Sequence, residues 1–240
     1  MSELVRLSPA SPEGLRTLEL QRPDKANALS AELVDGIHAS LDAIGAETRA
    51  LLITGEGKNF CAGFDFTAYE QQSEGDLLLR FVRIDQLLAR LRAADCLTIA
   101  WVSGAAFGAG ADIACSCAIR IGTPAARFRF PGFQFGVALG TRRLAAIAGA
   151  ERARRILLHN EELDAHAALE CGLLSELSEE VDPQARVEAL MHSTRKLDAT
   201  SLRSLFALTD AGDADRDLAE LVRSVSRPGL HARIAAYRRA

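Results

Sequence analysis

The chain has 240 residues, of which 48% are apolar and 25% are charged, and this composition excludes a disordered or collagen-like protein. The formal net charge is −4 and aromatic residues make up 5%, so neither a basic phosphate-binding surface nor a platform for stacking bases is indicated. We therefore expect one large globular domain, or one domain with a small addition, that does not bind nucleic acid.

The cysteines and the first ten residues bear on the cell compartment in which the protein is expected. The five cysteines are Cys61, Cys96, Cys115, Cys117 and Cys171. Their number is odd, their spacing is irregular, and most lie in apolar runs where a reduced thiol packs as a small apolar side chain, so no disulfide framework is predicted. Residues 1–10 contain no apolar stretch typical of a secretory signal. The expectation is a cytoplasmic location in a reducing compartment.

The predicted elements begin with an alternation of strands and helices. Residues 15–20 alternate between apolar and polar side chains, which is typical of a half-buried strand. Ser30 is a candidate N-cap for a helix whose apolar residues recur at helical spacing. Residues 50–54 are mainly apolar and predict a strand buried on both faces. The polar, acidic residues 65–76 predict a mobile surface segment, and residues 77–91 predict a helix.

Residues 97–119 form a 23-residue stretch with a single charge, Asp112, and this length would allow a transmembrane helix. Gly104, Gly108 and Gly110 interrupt the stretch, and a carboxylate is costly in lipid. Its first half contains β-branched residues, and its second half is rich in glycine and alanine. The stretch therefore predicts a buried strand, a turn and a buried helix, and we expect no membrane partner.

The remaining chain is predicted to be mainly helical. Residues 118–122 predict a short strand and residues 131–140 a loop. Helices are predicted over residues 141–149, 151–159, 165–171, 184–196, 200–209, 214–225 and 229–239. The alternating elements predict a layered α/β core over residues 1–180. The all-helical residues 181–240 predict an extension that packs on this core or on another subunit.

Two glycine-bordered turns carry the main functional signal. The first has the sequence FCAGFD (60–65), and the second, GAAFGAGAD (104–112), leaves a predicted strand and opens a helix. Small residues at a helix N-terminus expose backbone N–H groups to a ligand oxygen, and two such groups that converge form an oxyanion hole. A tight crossing of strand and helix that only small residues fit is the alternative. The second turn contains neither the GxGxxG fingerprint nor the GK[ST] of a P-loop.

Four stretches resemble one known family. They are RPDKANALS (22–30), LLITGEGKNFCAGFDF (51–66), IAWVSGAAFGAGADIACSCAIRIGTPAARFRFPGFQFG (99–136) and ERARRILLHNEELDAHAALECGLLSEL (151–177). Through them the chain resembles the crotonase superfamily, the enoyl-CoA hydratases and isomerases, over essentially its whole length. The resemblance implies a crotonase-like spiral of ββα turns over residues 1–180. It also implies a C-terminal helical region that assembles homotrimers, often paired into hexamers.

The resemblance further implies an acyl-CoA substrate, with no cofactor beyond the coenzyme A of the substrate and no metal. It places the backbone N–H groups of Phe64 and Ala109 in the two positions of an oxyanion hole, where they would stabilise a thioester enolate. Contacts with the substrate or its coenzyme A are implied at Lys25, Ala26, Ala28, Ala62, Gly63, Asp65, Phe66 and Gly108. Lys25 could instead be a solvated charge, and Asp65 could cap the helix that follows.

The acid–base residues depart from the pattern of the family. Hydratases of the family place two glutamates about the reacting carbons, and the matching positions here are Asp112 and Gly132. Residues 136–141 are shorter than the loop that carries the nucleophile of the dehalogenases, so dehalogenation is not expected. The common isomerases of the family place their base at the Gly132 position, so the chain departs from that pattern too. Asp112 is the remaining candidate for proton transfer, although it could instead cap its helix. Burial would raise the pKa of its carboxyl, and the helix N-terminus would lower that pKa.

The nominal activity is hydration or double-bond isomerisation of an enoyl-CoA, as in fatty acid metabolism. Because Gly132 offers no side chain, thioester hydrolysis, decarboxylation, or acyl-CoA binding with little catalysis stay open as alternatives. Tyr69, Glu70 and Asp76 lie on the predicted surface segment and could reach the substrate, although residues in such segments are usually solvated. The five histidines are interpreted as surface or packing residues.

Overall fold

The computed structural model describes residues 3–180, 182–209 and 212–239. The strands are β1 (Val5–Leu7), β2 (Leu15–Leu20), β3 (Ala50–Gly55), β4 (Leu97–Val102), β5 (Ala105–Phe107), β6 (Ile119–Gly122), β7 (Arg127–Arg129), β8 (Leu163–Asp164) and β9 (Glu176–Leu177). The helices are α1 (Ala31–Asp42), α2 (Glu74–Arg92), α3 (Ala109–Cys115), α4 (Thr141–Ala148), α5 (Ala150–His159), α6 (Ala165–Glu170), α7 (Gln184–Ser193), α8 (Ala199–Thr209), α9 (Ala214–Val225) and α10 (Leu230–Arg239). Short 3-10 turns lie at Pro23–Lys25, Tyr69–Gln71 and Pro131–Phe135.

The strands form two sheets in the described part of the chain. The larger has the order β1-β2-β3-β4-β6-β9, with β1 antiparallel and the other pairs parallel, and the smaller has the order β5-β7-β8. Strand β4 of the larger sheet is followed along the chain by β5 of the smaller sheet and then by helix α3. Isolated bridges from Leu29 to Phe64 and from Cys61 to Ala106 continue the smaller layer. The α/β layering predicted from the sequence is therefore confirmed.

The central strands of the larger sheet, β4 and most of β3, are buried on both faces, as in parallel sheets that helices cover on each side. On β4, Ala100 and Val102 belong to the larger hydrophobic core, whereas Ile99 and Trp101 belong to a second cluster. Val187 of α7 belongs to that second cluster. Because consecutive residues of a strand point to opposite faces, the apolar sequence of β4 is explained by two cores rather than one.

Helices α9 and α10 pack into the larger core of the same chain. Leu221 and Val225 of α9, and Leu230 and Ile234 of α10, are buried there, and α9 lies against α2. This packing brings the end of the chain back to the first 180 residues. Val181, where the predicted helical region begins, lies outside the described residues, and the boundary between the two regions stays a prediction.

The segment 65–76 and the shortest strands differ from the sequence-based expectation. Tyr69 is 3% exposed and lies in the second 3-10 turn, so the segment is packed against the protein at this point. The strands β1, β5, β7, β8 and β9 have only two or three residues each. The sequence pattern does not predict them, because recognisable strand periodicity needs about four or more residues.

The apolar residues 97–119 fold as β4, β5, α3 and the first residue of β6. Asp112, the single charge of this stretch, is buried within the protein in α3. No helix in the described ranges is long and apolar enough to cross a membrane.

Candidate active site

The first glycine-bordered turn packs directly against the second. The Cys61 amide donates to the Ala105 carbonyl at 2.9 Å, and the Phe107 amide donates to the Cys61 carbonyl at 2.9 Å. Gly63 has a φ of +86°, and a Cβ built there would lie 2.4 Å from the Phe107 oxygen and 3.3 Å from the Ala109 nitrogen. Both the backbone conformation and the lack of space require glycine here. The tight crossing considered for these turns is therefore present.

The backbone amides of Phe64 and Ala109 lie near this contact, and neither takes part in the described hydrogen bonds that hold the two turns together. The bridge between Leu29 and Phe64 uses the Leu29 amide, 2.7 Å from the Gly63 carbonyl, and the Asp65 amide, 3.2 Å from the Leu29 carbonyl. This bridge does not use the Phe64 amide. Ala109 is the first residue of α3, where a backbone N–H has no acceptor within its own helix.

A cavity of about 120 Å³ lies beside these amides. Among the residues predicted to bind or act on substrate, those that line it are Ala62, Phe64, Phe66, Gly108, Ala109 and Asp112. Those that lie outside its lining are Lys25, Ala26, Ala28, Gly63 and Asp65. The structure thus brings the two predicted oxyanion residues and the candidate acid to one cavity.

The residues predicted to hold coenzyme A are connected to the back of the first turn. Lys25 is exposed at the end of the first 3-10 turn. The Ala26 carbonyl accepts a hydrogen bond of 2.9 Å from the Ala62 amide, and the Ala28 carbonyl accepts one of 2.5 Å from Arg22 Nη1. The bond from Ala62 joins the segment around Lys25 to the wall of the cavity, and the bond from Arg22 closes that segment on itself.

Two arginines that the sequence reasoning missed brace the first turn. Arg22 Nη1 lies 3.0 Å from Asp65 Oδ2. Arg80 Nη2 donates to the Asp65 carbonyl at 2.7 Å, and its guanidinium lies 4.1 Å above the centre of the Phe64 ring. These contacts hold the Phe64 ring and the backbone that follows the Phe64 amide. Arg22 belongs to the family-like stretch 22–30, but nothing in the local pattern of α2 marks Arg80.

Asp65 has a structural role that differs from the expected one. Its carboxylate accepts hydrogen bonds from the Thr67 amide at 2.9 Å and from Arg22. Burial acts to raise the pKa of Asp65, but the bonds from Thr67 and Arg22 outweigh burial and hold that pKa below its usual value. The caps of the 3-10 turn and helix that follow are Ala68 and Ser73, so the expectation that Asp65 caps a helix is wrong.

Asp112 is a buried carboxyl at the cavity, in the first turn of α3 and 2% exposed. Its Oδ1 has no hydrogen-bond partner among the described residues. A Cβ built on Gly140 would lie 1.7 Å from this oxygen, so the carboxyl packs closely against the glycine backbone. Burial raises the pKa of Asp112 well above its usual range; Arg143 opposes this rise and Asp85 adds to it.

A buried ion cluster lies behind Asp112. Arg143 of α4 is 2% exposed, and its Nη2 lies 3.6 Å from Asp85 Oδ1 of α2 and 3.9 Å from Asp217 Oδ2 of α9. The neighbouring Arg142 reaches Asp217 at 3.1 Å. Burial raises the pKa of Asp85, and Arg143 opposes that rise. No local sequence pattern marks this cluster, because its members come from three helices that are distant in the sequence.

Gly132 lines the same cavity from the third 3-10 turn. A Cβ built there would lie 2.7 Å from the Val137 carbonyl oxygen, and the Val137 amide donates to the Gly132 carbonyl at 2.9 Å. Even an alanine would therefore require this backbone to shift. In the described lining, Asp112 is the one carboxylate and Arg129 is the other charged group.

The remaining polar candidates lie outside the cavity lining. The Tyr69 ring is buried and stacks on His231, with ring centres 6.3 Å apart. Asp76 forms a capping box with Ser73 at the start of α2. Glu70 is exposed, 4.0 Å from Arg238. Their visible roles are packing, capping and a surface ion pair.

The two sheets covered by helices, the two contacting turns and the buried carboxyl match what the sequence led us to expect of an enzyme of the crotonase class. The model of the enoyl-CoA hydratase/isomerase family matches residues 10–227, and the chain belongs to this family. The resemblance found in the sequence and the predicted crotonase-like fold are therefore confirmed.

The comparisons with individual proteins agree with this assignment. A Mycobacterium tuberculosis protein described as the enoyl-CoA hydratase EchA6 is 35% identical over 179 residues, which cover 72% of this chain and 71% of that protein. The 2,3-dehydroadipyl-CoA hydratase of Escherichia coli is 34% identical over 184 residues, 74% of this chain and 69% of that protein. A Bordetella parapertussis structure described as an enoyl-CoA hydratase/isomerase covers 99% of both chains at 41% identity, with a TM-score of 0.94. The expectation of an acyl-CoA enzyme of the hydratase/isomerase type is confirmed at this level.

Proposed function

We propose that this protein binds the carbonyl oxygen of an acyl-CoA thioester between the Phe64 and Ala109 amides, and that Asp112 transfers a proton to or from the resulting enolate. One observation carries the proposal: two separate turns pack against each other at the cavity that Asp112 also lines. Hydration or double-bond isomerisation of an enoyl-CoA is the nominal reaction. Both pass through a state in which negative charge develops on the thioester oxygen.

The two amides would supply most of the stabilisation of that charge. Donors that are already in place need not reorganise during the reaction, and one such donor contributes about 10²–10³ in rate. The contacts of Arg22 and Arg80 support this role, because they hold the Phe64 turn before any ligand arrives.

Asp112 would take a proton, as a carboxylate, from the carbon next to the thioester and hold it as a carboxylic acid while the dienolate exists. Burial raises the pKa of Asp112 well above its usual range, so the proton is retained to a higher pH than on an exposed carboxyl. The same carboxyl can then return this proton to another carbon of the dienolate, which moves the double bond and restores the carboxylate. Such a transfer needs no second carboxylate at Gly132, which favours isomerisation over hydration that uses two carboxylates.

Coenzyme A would lie along the segment 22–30 and the first turn. Exposed Lys25 would meet its phosphates, and Ala26, Ala28 and Ala62 would lie against its adenine and pantetheine. The proposal includes no cofactor beyond the coenzyme A of the substrate, and no metal. A Thermobifida fusca protein with this fold was crystallised with acetoacetyl-CoA; it is 24% identical to this chain, with a TM-score of 0.78.

We further propose a cytoplasmic homotrimer, or a hexamer made of two trimers. Exposed leucines support contacts between subunits: Leu158 of α5 is 75% exposed, and Leu205 and Leu208 of α8 are 46% and 87% exposed. Light scattering coupled to size-exclusion chromatography tests this proposal. A monomer at micromolar concentration would contradict it.

A second candidate function is acyl-CoA binding with little catalysis, and Gly132 is the observation that favours it. Incubation of saturated and unsaturated acyl-CoA thioesters in deuterated water separates the two functions. The enzyme incorporates deuterium at the carbon next to the thioester, and Asp112→Asn loses this exchange while it still binds the thioester. Binding without exchange or turnover in the unmodified protein would establish the second function. Release of free coenzyme A or carbon dioxide would instead indicate hydrolysis or decarboxylation.

A further inference from the structure

The cavity is strongly enriched in aromatic side chains. The chain as a whole has 5% aromatic residues. Eight of the residues that line the cavity, all in the described part of the chain, are nevertheless Phe or Tyr. They come from residues 64–66, α2, β5, the segment 130–135 and α10. Elements distant in the sequence therefore converge to build one aromatic enclosure.

The rings are packed against one another and form a continuous wall. Phe66 meets Phe135 edge to face, with ring centres 5.8 Å apart and an angle of 83°. Phe135 meets Tyr237 at 5.1 Å, and Phe64 meets Phe66 at 5.0 Å. Rings that are fixed by their neighbours offer faces and edges at set positions, and a further ring gains directional contacts from both.

The size of the cavity limits what can enter. A cavity of about 150 Å³ lined by Leu, Ile and Phe takes up benzene. The present volume of about 120 Å³ is close to that, and far below the roughly 300–1,000 Å³ of pockets for larger ligands. One ring, or a chain of a few carbons, therefore fits without a shift of the wall.

The charges of the cavity argue against an acyl group with a carboxylate at its far end. Asp112 would repel such a group or require it to be protonated. Arg129, the cation of the described lining, donates from Nε to Asn160 Oδ1 at 3.2 Å. The apolar rings around these two residues would desolvate a second carboxylate at a large cost.

Tyr237 is held in the wall by its helix. Ile234 of α10 is fully buried in the core. Arg233 of the same helix donates from Nη1 to the carbonyl oxygens of Phe135 and Gly136, each at 3.1 Å. Because these contacts tie α10 to the segment that carries Phe135, the Tyr237 ring closes the cavity at a fixed position.

We propose that the acyl group of the substrate is compact, uncharged and aromatic, with a single ring, and that Tyr237 is a specificity-determining residue. This inference rests on the proposed function, since it assumes that the thioester carbon chain enters this cavity. Cinnamoyl-CoA, which has no hydrogen on the carbon beyond its double bond and so cannot be isomerised, serves as a binding analogue. A thioester of a 4-aryl-3-enoic acid fits the description of the substrate, because its fourth carbon can receive the proton that isomerisation moves. Its double bond would lie near Asp112 and its ring among the rings of the wall.

Calorimetric binding of four thioesters tests the inference: cinnamoyl-CoA, 2-hexenoyl-CoA, 2-decenoyl-CoA and 2,3-dehydroadipyl-CoA. Cinnamoyl-CoA should bind about three- to tenfold more tightly than 2-hexenoyl-CoA, because a ring adds aromatic contacts that a chain lacks. The other two should bind more weakly still. In Tyr237→Ala the preference for cinnamoyl-CoA over 2-hexenoyl-CoA should shrink, and in Tyr237→Phe it should persist. Phe206→Ala, which removes a ring from α8 outside this cavity, is the matched control.

The possible failures are distinguishable. Equal or tighter binding of 2-decenoyl-CoA or 2,3-dehydroadipyl-CoA would overturn the inference and leave the proposed function intact. A preference for cinnamoyl-CoA that is the same in Tyr237→Ala as in the unmodified protein would overturn the role of Tyr237. Absence of binding by all four thioesters would overturn the proposed function together with the inference.

Discussion

The two sides of the cavity differ in both charge and space. On one side, Asp112 is buried with an oxygen that has no hydrogen-bond partner in the described residues, and Arg143 and its acidic partners lie behind it. On the other side, Gly132 contributes only backbone, with Val137 too close for a side chain. Proton transfer therefore belongs to one side, while the other side shapes the space that an acyl group fills.

The largest expected effect is a loss of turnover when the Asp112 carboxyl, on the charged side of the cavity, is replaced. Asp112→Asn keeps the shape of the carboxyl but cannot exchange its proton, so we expect kcat to fall by about 10²–10⁴. Steady-state kinetics with the best thioester substrate measures the change. Asp164→Asn, which alters an exposed cap of α6, serves as the control and should leave kcat unchanged. Unaltered turnover in Asp112→Asn would remove Asp112 from the mechanism.

The next effect concerns the ion cluster that supports the charged side. Arg143→Met leaves the buried Asp85 without the cation that faces it, while the half-buried Asp217 keeps Arg142, and we expect the free energy of unfolding to fall by about 3–5 kcal/mol. The exposed pair of Arg154 with Glu151 offers a control, because Arg154→Met should change the free energy by less than about 0.5 kcal/mol. Urea unfolding measures both. Equal, small losses would show that the cluster contributes little to stability.

A smaller loss of stability is expected on the other side of the cavity, where Gly132 leaves no room for a side chain. In Gly132→Ala the new Cβ meets the Val137 oxygen, and we expect a loss of about 1–3 kcal/mol in the free energy of unfolding. Gly75→Ala in α2 is the matched substitution, since a Cβ there meets only Ser73 Oγ at 3.6 Å. It should stabilise the protein by about 0.5–1 kcal/mol, because alanine favours a helix over glycine. A Gly132→Ala variant that is as stable as the unmodified protein would contradict the crowding at Gly132.

The smallest effect is a pH dependence. Because burial raises the pKa of Asp112, the folded state holds this proton more tightly than the unfolded state does. The stabilisation is complete below the unfolded pKa of about 3.8 and is lost as the pH rises through the folded pKa, by at most about 1.4 kcal/mol per pH unit. Asp112→Asn lacks this contribution, so its stability relative to the unmodified protein should increase with pH. Parallel curves in urea unfolding from pH 4 upward would contradict the buried state of the carboxyl.

The sequence predicts the turns and the helices well. For the turns, the physical reason is that certain positions accept only glycine. Gly63 adopts a positive φ where a Cβ would meet a backbone oxygen, and such positions leave a trace in the sequence. Helical spacing likewise predicts α2 and α9 from local pattern alone. The structure agrees with the sequence where a single segment carries the information.

The sequence does not predict features that depend on contacts between distant segments. Arg143 meets Asp85 and Asp217 only after three helices pack, and no local pattern marks any of them. The same holds for Arg80 above Phe64. The aromatic wall is another case, because its rings come from five separate parts of the chain.

The central claim is that two backbone amides bind one thioester oxygen. Infrared difference spectra of an acyl-CoA labelled with ¹³C at its carbonyl report on this oxygen directly. Two hydrogen bonds polarise the carbonyl, so its stretching band should move to lower frequency when the thioester binds, in the unmodified protein and equally in Asp112→Asn. A band that stays at its solution frequency in a saturated complex would contradict the claim.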